Sequence, residues 1–135
     1  MSEVVKGGHR HGVMRLTDAL GYRLPLAGLV SILHRISGLL MFALLPFILY
    51  LLDKSLTSKM TFAALQGFVS GWFVKLVILA LVWAYLHHFC AGVRHLFMDL
   101  HYGLDKHVAR KSAVTVLAIS LTLAALIGLK LFGVF

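Results

Sequence analysis

Cysteine is almost absent from this sequence, which has Cys90 and no other among its 135 residues. A single cysteine excludes a disulfide within the chain, and it excludes the C-x-x-C-H motif that attaches haem covalently. It also excludes an iron–sulfur cluster held by this chain alone, because such clusters need several thiolate ligands.

Charged residues are also scarce. They make up 13% of the chain, against roughly a quarter in soluble domains, whereas 60% of the residues are hydrophobic. Acidic residues are the rarest, with 5 Asp and Glu against 13 Lys and Arg and a net charge of +8. The basic residues bracket apolar runs instead of clustering on a soluble face. This pattern argues against a nucleic-acid partner and is typical of a membrane protein that contacts lipid.

Three apolar segments are long enough to cross roughly 30 Å of hydrocarbon, which takes about 20 helical residues. We predict spans at about 26–52, 68–98 and 113–134, within one membrane-anchor domain of residues 26–135. Pro46 is a predicted kink site in the first span, and the second span is long enough to tilt or protrude. Three spans cannot close a barrel, so the predicted fold class is an all-α integral membrane protein with three transmembrane helices.

The basic residues also indicate the orientation of the spans. Four Lys and Arg residues precede the first span and three lie in the loop at 101–111, whereas the loop between the first two spans has two. The positive-inside rule therefore predicts a cytoplasmic N-terminus and a periplasmic C-terminus. Residues 1–25 are predicted to be a cytoplasmic segment with a candidate interfacial helix at about 12–24. They lack the apolar stretch of a signal peptide and contain Glu3 and Asp18, which favours a bacterial inner membrane.

A polar group lies just inside the first span, in the stretch S-I-L-H-R-I-S-G. Four of its residues share one helix face because they are spaced at i, i+3, i+4 and i+7: Ser31, His34, Arg35 and Gly38. An arginine within a span costs roughly 2.5–3.5 kcal/mol, which marks the group as a functional candidate. Because Ser31 is only about 7 Å inside the span, the alternative is that Arg35 simply extends to the headgroups and His34 follows. Otherwise the group forms a pocket that can bind a carbonyl or an anionic group.

A second polar stripe lies in the second span, at i, i+4, i+7 and i+11: His88, Gly92, His95 and Asp99. His88 is about 15 Å from the predicted cytoplasmic end, close to the middle of the bilayer. A neutral imidazole is a good axial ligand for haem iron, and Gly92 leaves room for a flat macrocycle. The neighbouring stripe through His87 is an equal candidate by periodicity alone.

The residues leave two interpretations of these histidines open: structural hydrogen bonds across helices, or a haem site. The haem site is favoured because the first two spans are antiparallel, which places the first polar group at a depth comparable to His88 and His95. Cationic side chains beside a ligand histidine suit haem propionates. Since only one stripe at mid-depth offers a ligand, the second axial ligand would come from another chain. We therefore predict one subunit of a larger heteromeric helix bundle.

The two motifs, S-I-L-H-R-I-S-G and H-x-x-x-G-x-R-H-x-x-x-D from His88 to Asp99, resemble those of the cytochrome b membrane-anchor subunits of succinate dehydrogenase, which is succinate:quinone oxidoreductase or complex II. The resemblance covers about residues 22–99 by motif and the third span by hydropathy. It implies that the chain and a second membrane-anchor subunit hold one haem b between them. It also implies that they attach an iron–sulfur subunit and a flavoprotein subunit to the membrane.

The resemblance further implies roles for individual residues. His88 matches the axial ligand of the haem iron, which decides between His88 and His87. Ser31 and Arg35 match residues of the ubiquinone site. Positions near the haem propionates are matched by His34, Arg35 and His95. No residue here is expected to catalyse succinate oxidation, so the implied role is electron transfer to ubiquinone in the tricarboxylic acid cycle and respiratory chain.

Two other functions share these features. The anchor subunit of a menaquinone-linked fumarate reductase is one, and the type of quinone distinguishes it. A structural membrane anchor or assembly factor without haem is the other, and a b-type absorption spectrum distinguishes it.

Overall fold

The computed structural model describes residues 24–134, which form five α-helices. They are α1 (Leu26–Ala43), α2 (Leu45–Thr57), α3 (Lys59–Val69), α4 (Trp72–Asp99) and α5 (Lys106–Leu131). Three of them, α1, α4 and α5, are long and apolar enough to cross a membrane. The chain is a multi-pass membrane protein of the all-α class, as predicted. The predicted cytoplasmic segment, with its candidate interfacial helix, lies almost wholly outside the described residues.

The first predicted span is interrupted at Leu44, where α1 ends and α2 follows. Pro46, the second residue of α2, has no N–H group to donate to the Phe42 carbonyl, and its ring crowds that carbonyl. Helical hydrogen bonding resumes at once, with the Ile48 N–H donating to the Leu44 carbonyl at 3.1 Å. The proline therefore divides the segment into two helices, whereas the hydropathy pattern predicts one kinked span.

α4 and α5 are joined by a short turn that makes them antiparallel. His101 adopts a left-handed backbone conformation there, with φ 63°. Its N–H donates to the Met98 carbonyl at 2.9 Å and the Tyr102 N–H donates to the Phe97 carbonyl at 3.0 Å, the Schellman pattern that ends a helix. α5 then begins at Lys106, earlier than the apolar pattern indicates, because its first basic turns are helical without being hydrophobic.

α1, α4 and α5 pack against one another, and α2 and α3 pair beside them. Within residues 24–134, four of the seven buried apolar residues are alanines, which let helix backbones approach closely in lipid: Ala84, Ala91, Ala113 and Ala124. Four buried residues of the same range are polar: Ser37, His87, Arg94 and Ser120. Buried polar side chains need partners, and their contacts between helices determine how α4 is rotated in the bundle.

Arg94 shows this effect. Its Nε donates to Ser112 Oγ at 3.0 Å and its Nη2 donates to the Ala109 carbonyl at 3.4 Å, both on α5. Successive residues of a helix are rotated by about 100°. Anchoring Arg94 against α5 therefore turns His95, the next residue, towards α1.

Candidate cofactor site

Three imidazole rings meet between α1 and α4. The ring of His34, on α1, stacks on that of His88, on α4, with 4.0 Å between centroids and 15° between planes. The ring of His95, two turns further along α4, lies 5.1 Å from that of His34 at a tilt of 54°. The structure therefore brings these three predicted site residues together, at the common depth that antiparallel spans predict.

A hydrogen bond between the helices determines which nitrogen of His88 carries the proton. Nδ1 lies 3.0 Å from the backbone carbonyl oxygen of His34. A carbonyl can only accept, so Nδ1 must be protonated. In a neutral imidazole this leaves Nε2 with a free lone pair, which is the form that binds a metal. A backbone carbonyl in this position is a common partner of a ligand histidine, because it fixes the tautomer and the ring orientation.

Two glycines give the rings their space. A Cβ atom at Gly38, on α1, would lie 3.0 Å from Cε1 and 3.4 Å from Nδ1 of His88. A Cβ at Gly92 would lie 3.6 Å from Nε2 of His34. Any side chain at Gly38 would therefore press on the imidazole of His88, so the glycine is part of the site.

The two competing histidines of α4 have opposite environments. His87 is completely buried, with its ring stacked on that of Trp83 at 5.5 Å and its Nδ1 3.5 Å from Ser120 Oγ on α5. Two other residues of its stripe, Ala91 and Arg94, are buried as well. His88 is only half-buried. His88 is therefore the more accessible of the two histidines, whereas His87 is enclosed by the bundle.

In the described part of the chain, His88 does not belong to a cluster of side chains that could chelate a bare metal ion. Within residues 24–134, no three His, Cys, Asp or Glu side chains are arranged to hold a metal ion. A separate apolar groove of about 650 Å³ is lined by residues of four helices, among them Met41 on α1, Leu45 on α2, Tyr85 on α4 and Ile127 on α5. None of the three imidazoles is part of its lining.

Ser31 and Arg35 lie one turn apart near the beginning of α1. Ser31 is half-buried and Arg35 is exposed. In the part of the chain that the structure describes, neither side chain forms a hydrogen bond to the imidazole cluster. Ser31 precedes His34 by about one turn of α1 and Arg35 follows it directly, so both are neighbours of the cluster along the helix.

Ser37 is the residue of this site that sequence reasoning missed. It is completely buried, and its Oγ lies 2.8 Å from the His34 carbonyl oxygen and 3.2 Å from Nδ1 of His88. The only signal in the sequence is its place three residues after His34, from which a helical serine can donate to a preceding carbonyl. That signal does not show that His88 shares the carbonyl.

Comparison with known proteins gives concordant matches. The family of succinate dehydrogenase/fumarate reductase transmembrane subunits matches residues 15–127. A succinate dehydrogenase cytochrome b556 subunit from Paracoccus denitrificans is 40% identical over 105 residues, which cover 78% of this chain and 81% of that protein. The protein of the same name from Coxiella burnetii is 35% identical, over 82% of this chain and 90% of that protein. The one from Rickettsia felis is 30% identical, over 78% of this chain and 82% of that protein.

Proposed function

Because the chain belongs to the family of succinate dehydrogenase/fumarate reductase transmembrane subunits, we propose that it is the cytochrome b anchor subunit of a succinate dehydrogenase. In this role it holds one haem b jointly with a second anchor subunit and completes a ubiquinone site. Succinate is oxidised on the flavoprotein subunit, and the iron–sulfur subunit delivers the electrons to the membrane. This chain contributes to the oxidoreductase through its haem and quinone contacts alone.

The observation that carries this proposal is the hydrogen bond between Nδ1 of His88 and the His34 carbonyl, at 3.0 Å. It directs the lone pair of Nε2 away from α1, where it can serve as an axial ligand. His88 is half-buried, and a histidine of the partner anchor subunit would supply the second ligand to the haem iron. When bound, haem b supplies a one-electron carrier at this place.

The residues assigned to the haem propionates are His34, Arg35 and His95. The imidazoles of His34 and His95 lie together on one side of His88, towards the beginning of α1. Arg35 follows His34 directly and is exposed. Imidazole N–H groups and a guanidinium are strong donors to carboxylates, and a positive environment offsets the cost of holding two propionates near hydrocarbon.

The residues assigned to ubiquinone are Ser31 and Arg35. They lie on one face of α1, one turn apart. Ser31 is about 7 Å along the helix from its beginning. The hydroxyl of Ser31 donates a hydrogen bond to a quinone carbonyl. The guanidinium of Arg35 stabilises the negative charge that develops on the quinone oxygen during reduction.

The distribution of basic residues supports an orientation with the N-terminus in the cytoplasm and the C-terminus in the periplasm of a bacterial inner membrane. Lys106, Arg110 and Lys111 are exposed at the beginning of α5. This supports a cytoplasmic location for that end of the bundle, at which Ser31 and Arg35 also lie. The quinone pocket then faces the iron–sulfur subunit, from which the electrons come.

The family includes anchor subunits of fumarate reductases, which run the opposite reaction. The names of the relatives favour succinate dehydrogenase, since those from Paracoccus denitrificans, Coxiella burnetii and Rickettsia felis are all cytochrome b556 subunits of that enzyme. Identifying the quinone extracted from the purified complex distinguishes the two.

The proposed function is tested by purifying the complex through a tag on this chain. We expect a flavoprotein, an iron–sulfur protein and a second membrane anchor to copurify. The reduced-minus-oxidised spectrum should show the Soret and α bands of one haem b per complex. A complex with no b-type bands would contradict the haem assignment and leave the structural anchor as the better description.

Replacing Gly38 with alanine should weaken haem binding, because the new methyl group lies 3.0 Å from Cε1 of a ring that is also stacked on His34. Overpacking of this kind costs about 1–3 kcal/mol, or about a 5- to 150-fold loss of affinity. The measurement is the haem content per complex after extraction in detergent. Gly67→Ala is the control, because a Cβ at Gly67 meets nothing within 4 Å. Equal haem retention in both variants would count against the packing argument.

A further inference from the structure

We propose that Ser37 is a positioning residue for His88 that determines the orientation of its imidazole, and thereby the electronic properties of the haem. This inference rests on the proposed function, in which His88 is the axial ligand. Ser37 would act through His88 and not through a contact of its own with the haem or the quinone.

The geometry is a closed triangle of polar atoms. Ser37 Oγ donates to the His34 carbonyl at 2.8 Å, Nδ1 of His88 donates to the same carbonyl at 3.0 Å, and Oγ lies 3.2 Å from Nδ1. Ser37 is completely buried. Because the single proton of its hydroxyl is directed at the carbonyl, its oxygen presents a lone pair to the N–H group of His88.

Nδ1 of His88 therefore points between two acceptors instead of at one. The imidazole ring can rotate about its Cβ–Cγ bond. Two acceptors at similar distances from its N–H group restrict this rotation more than a single acceptor does. Hydrogen bonds to the far nitrogen of a ligand histidine also change its basicity and the redox potential of the metal. Removing the hydroxyl leaves the carbonyl as the only acceptor, so the ring turns towards it.

The chain offers a matched control on the other side of α4. Ser120 is also completely buried, its hydroxyl donates to the Leu117 carbonyl at 3.3 Å, and its Oγ lies 3.5 Å from Nδ1 of His87. Ser120 thus lies beside Nδ1 of the histidine that is not assigned as the ligand, at a longer distance than that between Ser37 and His88. Ser120→Ala removes a buried hydroxyl of the same kind without touching the neighbourhood of His88.

The experiment uses the purified complex with Ser37→Ala, Ser37→Thr or Ser120→Ala. The readouts are the ferric low-spin electron paramagnetic resonance g values, which depend on the relative planes of the two axial imidazoles, and the midpoint potential of the haem. We expect both to shift in Ser37→Ala at unchanged haem content. Ser120→Ala should match the wild type, and Ser37→Thr, which keeps a hydroxyl, should restore the wild-type g values.

Wild-type g values and potential in Ser37→Ala, or the same shift in Ser120→Ala, would overturn the role of Ser37. If Ser37→Ala loses haem altogether, Ser37→Thr decides. A Ser37→Thr complex that retains haem with wild-type g values supports the proposal, and a Ser37→Thr complex that also loses haem overturns it. A failure of the haem assignment itself is recognised separately, since the wild-type complex then lacks b-type bands or His88→Ala keeps them.

Discussion

Replacing His88 with alanine is expected to abolish the b-type absorption bands of the purified complex. The hydrogen bond to the His34 carbonyl, at 3.0 Å, leaves Nε2 of His88 with a free lone pair. Alanine removes it, and the other imidazoles of the cluster are on the side assigned to the propionates. The measurement is the reduced-minus-oxidised spectrum, normalised to the flavin content, which reports the amount of complex.

His87→Ala is the matched control for this variant, because the two histidines are adjacent in the chain and differ in direction. His87 is completely buried against Trp83 and Ser120. Its removal leaves a cavity, which in protein cores costs about 2–5 kcal/mol, so this complex should melt at a lower temperature while its haem bands remain. Bands that survive in His88→Ala, or that are lost in His87→Ala alone, would show that the wrong histidine has been assigned.

Replacing Arg35 with alanine is expected to lower ubiquinone reduction by succinate about 10²-fold or more, the usual cost of losing a group that stabilises developing negative charge. Ser31→Ala should lower it less, by about 10-fold at most, because a neutral hydrogen bond contributes about 0.5–1.5 kcal/mol. Reduction of an artificial dye by succinate should stay unchanged in both variants. The dye takes its electrons before they reach the quinone, so the ratio of the two activities isolates the quinone step.

Lys54→Ala is the control for the loss of a cation. Lys54 lies on α2, pairs with Asp53 at 3.2 Å and is far along the chain from the imidazole cluster. Its removal should leave both activities unchanged. If quinone reduction is unaffected in Ser31→Ala and Arg35→Ala, or if dye reduction falls in parallel, the quinone assignment on α1 is refuted.

The membrane class and the number of spans follow from the sequence, because hydrocarbon imposes them. A bilayer needs about 20 apolar residues for each crossing, and every backbone polar group must be satisfied within the helix. These constraints act on each segment separately. The hydropathy of a segment therefore predicts α1, α4 and α5 from their own residues, whichever helices pack against them. The ends of the helices are less well predicted. Pro46 divides the first segment at Leu44, and α5 starts at Lys106 in residues that hydropathy does not mark.

The sequence predicts those features of the candidate site that depend only on the spacing of residues along one helix. The motifs place Ser31, His34 and Arg35 on one face of α1, and the resemblance to a known family selects His88 over His87. Periodicity could not make that choice, because it gives the relative angle of two residues on a helix and not which of them faces the partner helices. The burial of His87 and the half-exposure of His88 depend on how α4 is rotated against α1 and α5, with Arg94 held to Ser112 on α5.

The contacts that link the two motifs exist only in the folded bundle. The sequence determined that α1 and α4 each carry imidazoles at a similar depth. Only the tertiary structure decided that Nδ1 of His88 donates to the carbonyl of His34, that Ser37 closes the triangle, and that Gly38 provides the space for the ring. The physical reason is that these are distances of 3.0 Å and 3.2 Å between atoms of different helices. A sequence encodes such distances only through the packing of every residue between them.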